Sequence, residues 1–211
     1  MEEDHPESVS RVLNILDCVH ADSGYHLGIY IEEPGKGFSV THRCDQAWFH
    51  CYQGDEEPIM RRPYGSHKWD DGNENMCYIR FTFEMFNHLN VDPTPMGAWQ
   101  TYLLCISKTV LPFSGGLFYT KRQLVFIREH LSKVGSFWSI IEIPELLNLK
   151  EDVSPSVTIE GNIATVSCCY WNDWGGLIRE YVPITFKENG KVAIGDFKQE
   201  NLYKYDCGIM F

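Results

Sequence analysis

Apolar and polar residues alternate most regularly in the last quarter of the chain, residues 154–211. Apolar runs stand on both sides of Gly161-Asn162, a dipeptide typical of a tight turn. A two-residue loop there places Ile159 opposite Ala164, so that the apolar side chains of both strands share one face. The pattern therefore predicts a β-hairpin that opens a C-terminal β-meander.

A second hairpin is predicted around Glu188-Asn189-Gly190. A two-residue turn would send the apolar residues after the turn to the opposite face of the sheet. A three-residue loop with Gly190 in the left-handed conformation instead pairs Phe186 with Val192. We therefore predict the three-residue loop.

Glu180 interrupts an otherwise apolar row in the strand predicted over residues 177–186. Burying a carboxylate without a partner costs several kcal/mol, so Glu180 needs a partner, a raised pKa or an open strand end. One hypothesis makes it an acid, base or binding group in a pocket. The alternative is a rim position or a pair with an arginine.

The rest of the chain yields helices and hairpins in separate stretches. Along the chain the pattern predicts a helix over 8–19, strands over 25–31 and 38–43, a strand over 77–85, a helix from Pro95 with Thr94 as its N-cap, a helix over 120–134, a strand over 137–143 and a connector with a short helix over 144–155. This order favours an α+β fold: a mainly antiparallel sheet, a C-terminal β-meander and two or three packed helices. We expect one domain over residues 1–211, divisible into an N-terminal α/β lobe (8–143) and the meander (154–211).

The longest irregular stretch is predicted over residues 53–75. It contains Arg61, Arg62 and Trp69, which concentrate positive charge and an aromatic ring in an otherwise acidic chain. Long loops in compact domains are usually functional or mobile. A binding loop and an ordinary surface excursion both remain open.

A second candidate binding segment is the loop expected between two meander strands, residues 171–176. Trp171 and Trp174 flank Asp173, and tryptophan is enriched among residues that dominate binding energy at interfaces. In the alternative, the rings fold back over the end of the sheet. We expect one of the two rings to fold back in this way, and for the other ring both possibilities remain.

Charge and composition narrow the function class. The formal net charge is −11, which disfavours binding to nucleic acid because phosphates would be repelled. Apolar runs are too short to span a membrane, and Met1-Glu2-Glu3-Asp4 is acidic where a signal peptide would be basic. We therefore expect a cytoplasmic protein.

The eight cysteines have no framework spacing and fall mostly within apolar periodic segments. Reduced cysteine behaves there as a small core residue, although a disulfide scaffold remains an alternative. His42, Cys44, His50 and Cys51 lie close together in the chain, but their spacing fits no established zinc module. We predict a reduced chain without metal or cofactor.

Three function hypotheses follow. The first is a non-catalytic acidic binding protein, such as an inhibitor or immunity-type protein that neutralises a basic protein partner. The second is a small-molecule hydrolase or transferase with a pocket near Glu180 and the 53–75 loop. The third is a subunit of a homo-oligomer, and its oligomeric state is not predicted. The first is favoured because acid predominates and the sequence contains no catalytic signature such as a nucleophile elbow or phosphate loop.

Overall fold

The computed structural model describes residues 15–33, 46–53, 59–63, 85–110, 122–132, 134, 143–172 and 175–205. These residues form an α+β fold with a mostly antiparallel sheet, as predicted. None of the helices formed by them has the length and apolar character needed to cross a membrane.

The strands range in length from 3 to 11 residues. They are β1 Val19–Ala21, β2 Tyr25–Glu33, β3 Gln46–Gln53, β4 Ile59–Pro63, β5 Leu89–Val91, β6 Gln123–Val125, β7 Ser156–Glu160, β8 Ile163–Asn172, β9 Gly176–Phe186, β10 Val192–Ile194 and β11 Lys198–Tyr203. The helices are α1 Pro95–Val110 and α2 Pro144–Leu147, with 3-10 helices at Met85–His88 and Arg128–Ser132.

The main sheet is built on the β8–β9 hairpin, whose strands have 10 and 11 residues. On one side, β7 and β6 pair with successive parts of β8. On the other, β10 and β11 pair with opposite ends of β9. All these pairings are antiparallel. The main sheet therefore consists of two long central strands and four shorter strands paired with them.

Both predicted hairpin registers are confirmed. Ile159 pairs with Ala164 across the first turn, and Phe186 pairs with Val192 across the second. Gly190 has φ 77°, the left-handed conformation that the three-residue loop requires. Turn residues and the alternation of apolar and polar residues therefore specify the registers of these two hairpins.

The first half of the chain contributes two smaller sheets. Strand β2 pairs antiparallel with β3 and parallel with β4, and β1 pairs antiparallel with β5. Helix α1 begins as predicted: the Thr94 hydroxyl accepts the backbone N–H of Gly97 at 3.0 Å, and Pro95 is the first helical residue. The predicted strand at 25–31 is confirmed within β2, and the short helix predicted in the 144–155 connector is α2.

The main sheet has a core on each face. The larger core joins one face to α1 and the three-stranded sheet, and it includes Tyr102, Val166, Val182 and Ile184. The smaller core lies on the opposite face at one end of the sheet. It includes Trp171, Leu177 and residues from α2 and the preceding 3-10 helix.

Two helix predictions need correction. Leu16 and Val19 are buried as expected, but Val19 belongs to β1 and pairs with Val91, so no helix reaches that residue. The predicted helix over 120–134 is instead β6 followed by a 3-10 helix. Ile127, which would share the apolar face of that helix with Leu124 and Leu131, is 49% exposed. Strand β8 extends beyond β7 and offers unpaired backbone groups, which β6 satisfies.

The stretch over 53–75 is not irregular throughout, because residues 59–63 form β4 alongside β2. The strand predicted over 77–85 does not include Met85, which begins a 3-10 helix. The rest of that strand and the predicted strand over 38–43 lie outside the described residues, as does the strand predicted over 137–143 except for Ile143. Residues 46–53, for which no element was predicted, form β3.

Candidate functional site

Glu180 lies in the middle of β9 and is fully buried, with 0% exposure. It pairs in register with Cys168 of β8, so its side chain lies on the face covered by α1. Val182 and Ile184 share that face and are also fully buried. The predicted apolar row interrupted by one carboxylate is therefore present, and it lies inside the protein.

Both carboxylate oxygens of Glu180 have partners. Arg122 Nη1 lies 2.5 Å from Oε1, and the Arg122 side chain is only 17% exposed. The Tyr102 hydroxyl donates to Oε1 at 3.3 Å, and Gln199 Nε2 donates to Oε2 at 2.8 Å. The requirement for a partner is confirmed, and the partner is an arginine.

Tyr170 completes this group, which we call the Glu180 cluster (Tyr102, Arg122, Tyr170, Glu180 and Gln199). The guanidinium carbon of Arg122 lies 4.4 Å from the centre of the Tyr170 ring, and Gln199 Nε2 also donates to the Tyr170 hydroxyl at 3.0 Å. Burial raises the pKa of Tyr102, and the neighbouring Cys168 and Glu180 add to that rise. Tyr102 therefore stays a hydrogen-bond donor at neutral pH.

The Glu180 cluster joins five parts of the fold: α1, the residue before β6, and strands β8, β9 and β11. The contacts of Glu180 with Arg122, Tyr102 and Gln199 connect these elements through one buried carboxylate. The Glu180 side chain has no exposed atom, and its role as a binding group stays a prediction.

The opposite face of the same strands is different. Side chains alternate along a strand, so the neighbours of Glu180, Arg179 and Tyr181, lie on the other side of the sheet. At one end of that face, Cys169, Trp171 and Leu177 are buried in the smaller core. At the other end, the side chains are exposed or half-buried.

We call this second end the open half-face. Three rows of residues paired in register across β7, β8 and β9 form it: Ser156, Ser167 and Tyr181; Thr158, Thr165 and Pro183; and Glu160, Ile163 and Thr185. No element among the described residues buries them, and Ile163 is 43% exposed.

A recess of about 360 Å³ lies where the connector before β7 meets the open half-face. Asp152 and Ser154 from the connector face Ser167 and Tyr181 from the sheet across it. Arg179 also lines the recess and donates a hydrogen bond to the backbone carbonyl of Asp152. The Tyr181 hydroxyl donates to Glu200 Oε2 at 3.0 Å, which holds its ring in place.

Trp171, a predicted binding residue, is 1% exposed and packs in the smaller core. Its ring centre lies 5.0 Å from that of Tyr205. This burial agrees with the alternative in which one of the two rings folds back on the sheet. Asp173 and Trp174 lie outside the described residues, so the contact role of their loop stays a prediction.

The basic candidates of the first half are only partly placed. Arg61 and Arg62 lie in β4, opposite Ile31 and Glu32 of β2, and not in a loop. Trp69 lies outside the described residues. A binding role for these three residues stays a prediction.

The structure describes two of the four residues weighed as metal ligands. His50 and Cys51 lie in β3, whereas His42 and Cys44 are outside the described ranges. Across the described part of the chain, no three His, Cys, Asp or Glu side chains form a group that could hold a metal ion. Four of the cysteines within that part are free thiols: Cys18, Cys105, Cys168 and Cys169.

Sequence reasoning missed the open half-face, although its signal was present. Ser156 and Thr158 alternate with apolar residues in β7, and Thr165 and Ser167 do so in β8. The pattern does not reveal that, within the described structure, a second layer covers this face at one end and leaves the other end exposed.

No family model, curated protein or solved structure matches this chain.

Proposed function

We propose that this chain is a non-catalytic binding protein whose open half-face docks on a basic protein partner. The observation that carries the proposal is the unequal covering of the main sheet. One face is packed by α1 and the three-stranded sheet, whereas described residues pack against the other face at one end only. A sheet surface built on two long paired strands is a rigid platform for a partner.

The charge of the chain supports a basic partner. A net charge of −11 attracts positively charged proteins and speeds their encounter. Exposed Glu160 lies on the open half-face beside Ile163, so an acid and an apolar side chain are available together. Inhibitor and immunity-type proteins that neutralise a basic target have this general character, and a cytoplasmic location is part of the proposal.

The non-catalytic part of the proposal is supported by the Glu180 cluster. The hydrolase or transferase hypothesis needs Glu180 to reach a substrate, but both of its oxygens are engaged and its side chain is fully buried. The recess lies on the opposite face of the sheet from Glu180. A buried carboxylate whose two oxygens are both hydrogen-bonded, such as that of Glu180, is expected to contribute to stability rather than to turnover.

The test begins with capture of binding proteins from the native cell, followed by affinity measurements with the purified basic partner. Glu160→Lys reverses a charge on the open half-face, and Glu129→Lys makes the same change at an exposed position of the 3-10 helix. Both variants have the same net charge, so long-range attraction is altered equally. We expect Glu160→Lys to weaken binding at least about tenfold more than Glu129→Lys.

Two results would contradict the proposal. One is a partner that binds both charge-reversal variants equally well, since docking would then lie elsewhere. The other is turnover of a small molecule by the purified chain that disappears in Glu180→Gln, because this would favour the enzyme hypothesis.

A further inference from the structure

The recess on the open half-face has an unusual concentration of hydroxyl groups. Five serine or threonine side chains line it together with Tyr181: Ser154, Ser156, Thr158, Thr165 and Ser167. Four of the five stand in two register rows, so their Cβ atoms are separated by about 5 Å across the strands and about 7 Å along them. The sheet therefore spaces these hydroxyl-bearing side chains regularly.

Each serine or threonine hydroxyl can donate one hydrogen bond and accept two. A surface of such groups matches a ligand that carries hydroxyls of its own, because every contact can be made in either direction. The Tyr181 ring adds an apolar surface beside them. A purely apolar ligand would leave these hydroxyls without partners, which is unfavourable.

The described lining of the recess carries one acid and one base, Asp152 and Arg179, beside the Tyr181 phenol. Glu200 accepts the hydrogen bond of that phenol and Lys198 pairs in register with Tyr181, so the surroundings of the recess also carry both signs of charge. Hydrogen bonds from Ser154 lower the pKa of Asp152, so this carboxyl is ionised at neutral pH. An anionic ligand would meet Asp152 and a cationic ligand would meet Arg179. A neutral ligand avoids both repulsions.

We infer that the recess binds a small, neutral, polyhydroxylated ligand of the saccharide class. Its volume of about 360 Å³ lies at the lower end of the range of about 300–1,000 Å³ found for small-molecule sites, which suits one or two sugar units. The inference goes beyond the proposed docking on a protein, since this ligand binds the chain in the absence of any partner.

The test uses the isolated, ¹⁵N-labelled chain and nuclear magnetic resonance. The chain is titrated with glucose, galactose, mannose, N-acetylglucosamine, maltose and lactose, and separately with inorganic phosphate and spermidine as charged probes. We expect at least one sugar to produce saturable shifts of the backbone amides of Thr165, Ser167 and Tyr181.

Matched threonine variants locate the site. Thr165→Val removes a hydroxyl from the recess, whereas Thr185→Val removes one from the same face outside it. Loss of one hydrogen bond should weaken sugar binding about tenfold in Thr165→Val and leave it unchanged in Thr185→Val. Ser167→Ala provides a second recess variant if Thr165→Val is poorly folded.

The inference is overturned if no sugar gives saturable shifts, or if both threonine variants bind a sugar equally. Phosphate binding at the recess that is lost in Arg179→Met would also overturn it, because the site would then select anions. None of these results bears on the protein partner, whose affinity is tested through Glu160 and Glu129.

Discussion

The two faces of the main sheet come from the same strands but differ in what covers them. Ile184 and Ile163 illustrate this, because they belong to adjacent register pairs of the β8–β9 hairpin. Ile184 is fully buried in the larger core, whereas Ile163 is 43% exposed on the open half-face. The alternation of side chains assigns each residue to a face, and the second layer decides which face becomes core.

Polar groups on the two faces also differ. On the covered face, the Glu180 carboxylate accepts hydrogen bonds from an arginine, a side-chain amide and a tyrosine hydroxyl. On the open half-face, serine and threonine hydroxyls line a recess that solvent can enter. The first arrangement stabilises the fold, and the second leaves hydrogen-bonding groups available to another molecule.

The largest effect is expected from breaking the ion pair on the covered face. Arg122→Met leaves the Glu180 carboxylate buried without its positive partner, which should lower the free energy of unfolding by about 3–5 kcal/mol. Urea denaturation measures this change. Lys187→Met, at an exposed position, is the matched control and should change stability by no more than about 0.5 kcal/mol.

A double variant separates loss of the pair from loss of packing. Arg122→Met combined with Glu180→Met removes both charges, so it should recover much of the stability lost in the single variant. If Arg122→Met were as stable as Lys187→Met, the stability of the protein would not depend on the Arg122–Glu180 ion pair.

The next largest effect is expected from truncating Ile184, in comparison with the same truncation of Ile163. Ile184→Ala removes side-chain atoms from a close-packed core and should cost about 2–5 kcal/mol. Ile163→Ala removes the same atoms from the open half-face and should cost less than about 1 kcal/mol. Equal shifts in the two denaturation midpoints would mean that the open half-face is covered in solution.

A smaller effect concerns the turns that set the two registers. Gly190→Ala should destabilise the protein by about 1 kcal/mol or more, because φ is 77° and an added Cβ would lie 3.1 Å from Asn90 Oδ1. Gly161→Ala shares the positive φ, at 61°, but its Cβ would meet no atom within 4 Å. Denaturation midpoints should therefore fall further for Gly190→Ala. The reverse order would contradict the contact with Asn90.

The smallest effect lies at the edge of the covered face, where Lys191 reaches Asp22. Lys191 Nζ lies 2.6 Å from both Asp22 carboxylate oxygens, and this contact lowers the pKa of Asp22 below its ordinary value of 3.8. The Lys191–Asp22 contact therefore contributes its full stabilisation above pH 3.8, the ordinary pKa of Asp22. This stabilisation is lost as the pH falls through the lower pKa of Asp22 in the folded state.

Asp22→Asn removes this titration. Wild type should be the more stable protein at about pH 6, and the difference should shrink as the pH approaches about 3. Unfolding free energies measured across that range check the expectation. If the stability difference between wild type and Asp22→Asn grew on acidification, the pKa of Asp22 would not be lowered in the folded protein, which would contradict the expectation.

The sequence predicted the meander well because its signals are local. Turn residues at Gly161-Asn162 and Gly190, together with alternation, determine the registers without knowledge of other elements. The need of Glu180 for a partner also followed from burial alone. That Arg122 would supply it could not be predicted, since 57 residues separate the two in the chain and the predicted helix at that position was wrong.

Errors occurred where pairing with a distant strand decided the structure. Residues 123–125 and β4 are strands because β8 and β2 present unpaired edges to them. Their own patterns are too short to specify a state. The recess was missed for a similar reason, because it needs both the sheet and the connector before β7.

The central claim, that binding uses the open half-face, is tested most directly with isoleucine methyl groups. Spectra of the methyl-labelled chain are recorded with and without the captured basic partner at saturation. We predict that the Ile163 methyl signals shift or broaden while those of Ile184 stay in place. Saturating partner that leaves Ile163 unchanged would contradict the account.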